Sequence, residues 1–221
     1  MKNDALRTKE SSTAHKTAVK ESERKTIKDF YAMLEDWKGE LIDGVLYTMD
    51  SPRVLHQALS FEIGLQLKDY VSKQNCDCFV MPLPLDTQLD CDEYTMLEPD
   101  ISVTCDKSKI QKGILYGAPD LVMEVLSPST AHKDCYLKLY KYMNAGVREY
   151  WIVNPKNKTV MVYDSNAENV PELYTFSDKI PVSIWNGDCK IDFPFIMEKI
   201  GFLYDSEHMF LSFYIEKSPN A

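Results

Sequence analysis

Two apolar runs and the helix pattern between them constrain this chain more than anything else in it. Leu121-Val-Met-Glu-Val-Leu126 is almost continuously apolar, and so is Tyr150-Trp-Ile-Val153. Such runs suit strands covered on both faces. Between them, residues 131–144 read as a helix stopped by Gly146, since glycine takes the left-handed conformation at a helix end at no steric cost. Strand, helix, strand is a crossover unit, and a crossover joins parallel neighbours with the helix on one face of the sheet. The predicted class is α/β, or mixed α+β, with a central mixed β-sheet flanked by helices.

The flanking sequence adds elements to that centre. Ile27, Phe30, Tyr31 and Leu34 have helical spacing in a segment starting near Glu21. Asp43-Gly44 between Glu40-Leu-Ile and Val-Leu-Tyr47 predicts a tight hairpin, because both turn residues tolerate positive φ. Ser51-Pro52 predicts the cap and first residue of a second helix running to about Lys73. Phe79 to Leu85 is a strand candidate that Pro82 and Pro84 demote to an edge or irregular one. Ile101 to Thr104 reads as a short strand, and Thr159 to Tyr163 as a strand returning from a turn at Asn154-Pro155. No repeat or interior low-complexity linker interrupts the chain, so residues 28–221 are expected to form one domain behind a basic, partly disordered arm, residues 1–27.

Composition excludes several functions. Hydrophobic residues are 44% and charged residues 27% of the 221, which is globular. No apolar run approaches the roughly 18–20 residues of a membrane helix, so no membrane role is expected. The charged start MKNDALRTKESS lacks the apolar segment of a secretory signal, so a cytoplasmic location and six reduced cysteines are expected. Net charge is −9, but residues 1–28 hold eight of the 25 Lys and Arg against four of the 34 Asp and Glu. A basic arm, either a solvated tail or a phosphate-tracking segment, therefore precedes an acidic body. No C-x-x-C, H-E-x-x-H or G-x-S-x-G is present, so zinc-ribbon, zinc-hydrolase and serine-hydrolase readings fit poorly.

Three residues carry the chemistry. Glu124 sits inside an apolar strand, where an unpartnered carboxylate costs several kcal/mol (roughly); a cation, a metal or hydrogen-bond donors must compensate, unless a strand end gives it water. Asp100 follows Pro99 and enters the strand at Ile101, and is turn chemistry or half of an acidic pair. Two carboxylates on neighbouring strands, with waters and phosphate oxygens, suit Mg²⁺. Lys138 shares one helix stripe with Asp134 and Tyr142, and is a surface ion pair or an amine reaching a phosphate.

Glu98-Pro-Asp100, Gly117-Ala-Pro-Asp-Leu-Val-Met-Glu124-Val-Leu-Ser-Pro-Ser-Thr130, Asp134-x3-Lys138-x3-Tyr142 and Ala145-Gly-Val-Arg-Glu-Tyr-Trp-Ile-Val153 together resemble the Uma-type family of restriction-endonuclease-like proteins in the PD-(D/E)XK superfamily. Glu40-Leu-Ile-Asp-Gly44 and His56-Gln57 are similar too, and the likeness spans about residues 28–200. It implies a restriction-endonuclease-like core and a DNA endonuclease using Mg²⁺ (or Mn²⁺). Asp100, Glu124 and Glu40 would be the metal ligands, with Glu62 the alternative third carboxylate. Asp120 also follows a proline, but lies too close to Glu124 on its strand. Lys138 would be the catalytic amine in place of a motif lysine, because Leu126 stands where that lysine is expected. His56 would support the site or simply cap its helix. The competing expectations are an inactive nuclease-fold module that binds nucleic acid or protein, and a structural interaction protein, such as a homodimer whose apolar edge pairs with itself, hinted at by the aromatic run Phe210 to Tyr214.

Overall fold

The structure, a computed structural model, describes residues 23–33, 38–89, 92–127, 131–167 and 170–205. Most of the basic arm, Leu34, Cys91, residues 128–130 and the Phe210–Tyr214 run lie outside the described residues.

A helix α1 (Ile27–Met33) leads into the hairpin of β1 (Gly39–Ile42) and β2 (Val45–Thr48). Asp43 and Gly44 carry it at φ 51° and 81°, the positive pair that a two-residue turn requires. The long helix α2 (Val54–Lys73) follows. It starts later than Ser51-Pro52 predicts: Arg53 is extended (φ −82°, ψ 164°), so no helical turn can form ahead of it, and no side chain caps the end. The chain continues through β3 (Phe79–Met81), β4 (Thr87–Gln88), β5 (Ile101–Thr104), β6 (Ile110–Gln111), β7 (Ile114–Tyr116) and β8 (Leu121–Val125). A π-helical turn (Lys133–Lys138) runs into α3 (Leu139–Ala145), which ends at Gly146 with φ 95°. Then come β9 (Glu149–Asn154), β10 (Thr159–Asp164), β11 (Glu172–Thr175), β12 (Lys179–Pro181), β13 (Lys190–Asp192) and α4 (Phe193–Ile200).

Six strands form the central sheet in the order β11-β10-β9-β8-β5-β3. The β8–β9 pair is parallel and its neighbours are antiparallel, so the sheet is mixed, as the crossover predicts. The proline-limited strand β3 is indeed an edge and stops at Met81. One face, with Ile101, Val103, Leu121, Met123 and Trp151, packs on Leu55, Leu59, Ile63 and Leu67 of α2 and on α4. On the other face Val122, Tyr150 and Ile152 pack against Tyr142 and Val147. A β-strand alternates faces, so Glu124 belongs to this second side.

Gly64 on α2 meets Pro82, where an added Cβ would lie 2.1 Å from the proline Cβ. The ring cannot rotate away, so Gly64→Ala is expected to cost about 1–3 kcal/mol by overpacking. Urea unfolding should show a lower midpoint with an unchanged slope.

One expectation is corrected here. Cys78 and Cys105 form a disulfide across β3 and β5, whereas six thiols were expected. The β3–β5 ladder pairs Phe79 with Thr104, so the next residues outward, Cys78 and Cys105, face each other. Cys76, Cys135 and Cys189 are free thiols. Among the described residues, no helix is long and apolar enough to cross a membrane.

Candidate metal and phosphate site

The strand register brings the two central carboxylates together. The β5–β8 ladder pairs Ile101 with Met123 and Ser102 with Val122, so its continuation sets Asp100 opposite Glu124. Residues directly opposite in a ladder share a face. The Asp100 amide approaches Glu124 Oε2 at 3.4 Å, and Asp100 Oδ2 accepts from the Val125 amide at 2.8 Å. His56, in the first turn of α2, lies with Nε2 3.2 Å from Asp100 Oδ2. Its buried Nδ1 has no hydrogen-bond partner among the described residues.

Glu40 arrives from β1. Its hairpin docks through paired bonds between Leu41 and Met96 (2.9 and 2.8 Å), just ahead of the Glu98-Pro-Asp100 segment. The Glu98 amide donates to Glu40 Oε1 at 3.1 Å. Lys138 from the π turn completes the centre, 2.7 Å from Glu40 Oε1, 2.9 Å from Glu124 Oε1 and 3.4 Å from Asp134 Oδ1. Tyr142 donates its hydroxyl to Glu124 Oε1 at 2.9 Å. Thus Asp134, Lys138 and Tyr142 do form one stripe, and it faces Glu124. Glu40, Glu124, Lys138 and Tyr142 are all buried.

Other acidic residues go elsewhere. Glu62 pairs with Lys199 at 2.7 Å, on the side of α2 that meets α4. Asp120 accepts from the Cys105 amide and from Arg148, tying down the opposite end of β8. Lys133 was missed by sequence reasoning: its Nζ is 2.5 Å from Glu40 Oε2. Lys133 and Lys138 are five apart, a spacing that points to different sides of an α-helix. The π turn bonds i to i+5 and brings both amines onto the same carboxylate.

The charges are unequally shared. Burial drives Glu124 well above the ordinary carboxylate pKa; Lys138 pulls against it, while Asp100, Asp134 and Glu40 push the same way as burial. Burial also pushes Glu40 up, but two amines, Lys138 and Lys133, outweigh it and hold Glu40 below its usual value. For Lys138 burial lowers the pKa, and Glu124, Glu40 and Asp134 together raise it well above normal. Glu40 has two cations where Glu124 shares one. Burial lowers His56, and its bond to Asp100 more than offsets that.

Four carboxyl groups (Glu40, Asp100, Glu124 and Asp134) thus cluster around two ammonium groups, Lys133 and Lys138. The four carboxyl groups outnumber the two ammonium groups by two, and a bound divalent cation would favour the ionised form of Glu124. That excess, with Asp100 and Glu124 side by side, fits a hard divalent cation that takes one or two protein carboxylates and fills its shell with water or phosphate oxygens. Glu40 fits less well as a ligand, since both its oxygens already face amines. Among the described residues, no group of three or more His, Cys, Asp or Glu is arranged to hold an ion.

Comparison with known proteins agrees with this architecture. A protein of Synechocystis sp. described as "Uncharacterized protein slr1290" is 28% identical over 130 residues, covering 58% of this chain and 67% of its own. A crystal structure from Anabaena variabilis, described as "a putative nuclease belonging to DUF820", superposes with a TM-score of 0.62 over 78% of this chain and 97% of that one. Its identity is 22%, and that likeness speaks for the fold alone. Residues 27–183 match the model of the Uma2 family, described as "Putative restriction endonuclease". A match over most of the chain, on a mixed sheet that sets Asp100 against Glu124, makes this chain a member of the Uma2 family.

Proposed function

We propose that the protein is an endonuclease that hydrolyses DNA phosphodiester bonds with Mg²⁺ or Mn²⁺ held by Asp100 and Glu124. One observation carries the reading: Glu124 is buried opposite Asp100 in a cluster with more carboxylates than cations. When bound, the ion supplies Lewis-acid stabilisation of the charge that develops as a phosphodiester is cleaved.

The chain's own groups prepare that site. The Val125 amide and His56 fix Asp100 Oδ2. Tyr142 and Lys138 hold Glu124 Oε1, which leaves Oε2 on the Asp100 side. Glu40, expected as a third ligand, positions the two lysines in this reading. Lys138, expected as the catalytic amine, acts by keeping the Glu40 and Glu124 carboxylates in place.

Supercoiled plasmid with Mg²⁺ or Mn²⁺ tests the proposal. The wild type should nick it, and Asp100→Asn should be slower by roughly 10²–10³-fold, the usual effect of losing one group that stabilises developing charge. Equal nicking by both would remove Asp100 from the reaction. A second reading, a nuclease-fold module that binds nucleic acid or protein without cleaving, is favoured by Leu126 and by the enclosure of Lys138 among three carboxylates. It would be supported by calorimetric Mn²⁺ binding that Asp100→Asn abolishes, with no nicking by the wild type.

A further inference from the structure

We propose that Lys133, rather than Lys138, is the amine that receives a backbone phosphate of the nucleic acid, an assignment that rests on the nuclease-fold reading above. An ammonium has three N–H donors and no acceptor. Around Lys138 stand three carboxylates, those of Glu40, Glu124 and Asp134, and its side chain is 3% exposed. Glu40 and Glu124 lie within hydrogen-bond distance and Asp134 Oδ1 stands 3.4 Å away, so the amine is enclosed by carboxylates rather than open to an incoming phosphate.

Lys133 is placed differently. Its one carboxylate partner among the described residues is Glu40, through Oε2, and its side chain is 10% exposed. The Tyr47 ring lies 5.8 Å from its Nζ, a cation–π contact that consumes no N–H. Two of its donors are therefore unspent. A phosphate approaching this acidic cluster is repelled by the surplus carboxylates. A cation at the edge of the cluster, with donors to spare, forms the charge-assisted bonds that offset this repulsion. The π turn gives a separate reason. Without it Lys133 would point away from Glu40, and such turns occur often at functional positions. Glu40 thus fixes Lys133 through one oxygen and Lys138 through the other.

The test reads phosphate contact apart from cleavage. The full chain is titrated with a fluorescein-labelled single-stranded oligonucleotide in EDTA, and affinity is followed by anisotropy across a series of NaCl concentrations. Each phosphate contact contributes about 0.7 to the slope of log K against log salt for single strands. K133Q should lose about that much slope, and K133R should keep it. K199Q, which removes an equal charge from the remote Glu62 pair, should match the wild type. A K133Q slope equal to the wild type, or an equal loss in K199Q, overturns the assignment. Should K133Q fail to fold, E40Q/K133Q removes the ion pair whole and should show the same loss; a wild-type slope there overturns the assignment as well. A wild type that binds no oligonucleotide overturns this assignment, while the nuclease reading stands or falls separately on plasmid nicking in Mg²⁺. Binding with the expected slopes but no cleavage in Mg²⁺ keeps Lys133 and removes only hydrolysis.

Discussion

Replacing Lys138 with methionine should lower stability by about 3–5 kcal/mol at pH 7.5, the usual result of removing one partner from a buried ion pair. For a chain of this size that is a fall in Tm of roughly 6–20 °C. Three buried carboxylates, Glu40, Glu124 and Asp134, would lose their shared cation, and Glu40 would keep Lys133. The deficit should depend on pH in a defined direction. In the wild type the folded pKa of Lys138 lies above its unfolded value. Its stabilising contribution is therefore complete below about pH 10.4 and fades only as pH rises through the folded value. Without it, the folded pKa values of Glu40 and Glu124 rise, and each carboxylate costs stability as pH climbs above the unfolded value of about 4.3. Urea unfolding of wild type and variant at pH 5 and pH 7.5 measures this. A deficit that is no smaller at pH 5 would mean that lost packing of the lysine stem, rather than stranded charge, sets the effect.

Glu124→Gln should separate stability from activity. Nicking should fall by roughly 10²–10³-fold, because the amide brings no negative charge to the Asp100 side of the site. Stability should rise at neutral pH by on the order of 1 kcal/mol or more, because a carboxylate costly to bury is replaced by a neutral group of the same shape. The glutamine oxygen can still accept from Tyr142 and Lys138, and Lys138 retains Glu40 and Asp134. Glu124 has a folded pKa above its unfolded one. The folded wild type therefore holds a proton that the unfolded chain releases, and its stability declines as pH rises from about 4.3 toward the folded value. The variant lacks that decline, so the two should be nearly equal near pH 4 and diverge above it. Unfolding curves from pH 4 to pH 8 would count against this account if the variant were the less stable protein throughout.

Much of the frame was legible because it depends on local rules. Leu121 to Val125 and Tyr150 to Val153 are almost wholly apolar on both faces, so the crossover could be read from composition and the intervening helix alone. Helical spacing put Asp134, Lys138 and Tyr142 on one stripe. Asp43-Gly44 announced its own turn. The start of α2 was misplaced because Ser51-Pro52 satisfies the capping pattern while Arg53 is held extended.

The sequence by itself determined which side chains of one strand share a face and which share a helix stripe, because those follow from periods of 2 and 3.6 residues. Only the tertiary structure decided what each charged group would meet. Register set Asp100 opposite Glu124, hairpin docking delivered Glu40 from some sixty residues away, and the π turn bent Lys133 onto it. Packing of α2 on α4 sent Glu62 to Lys199 instead, and the β3–β5 ladder matched Cys78 with Cys105. Charge pairing acts over a few ångströms between segments far apart in sequence, and no local period encodes it.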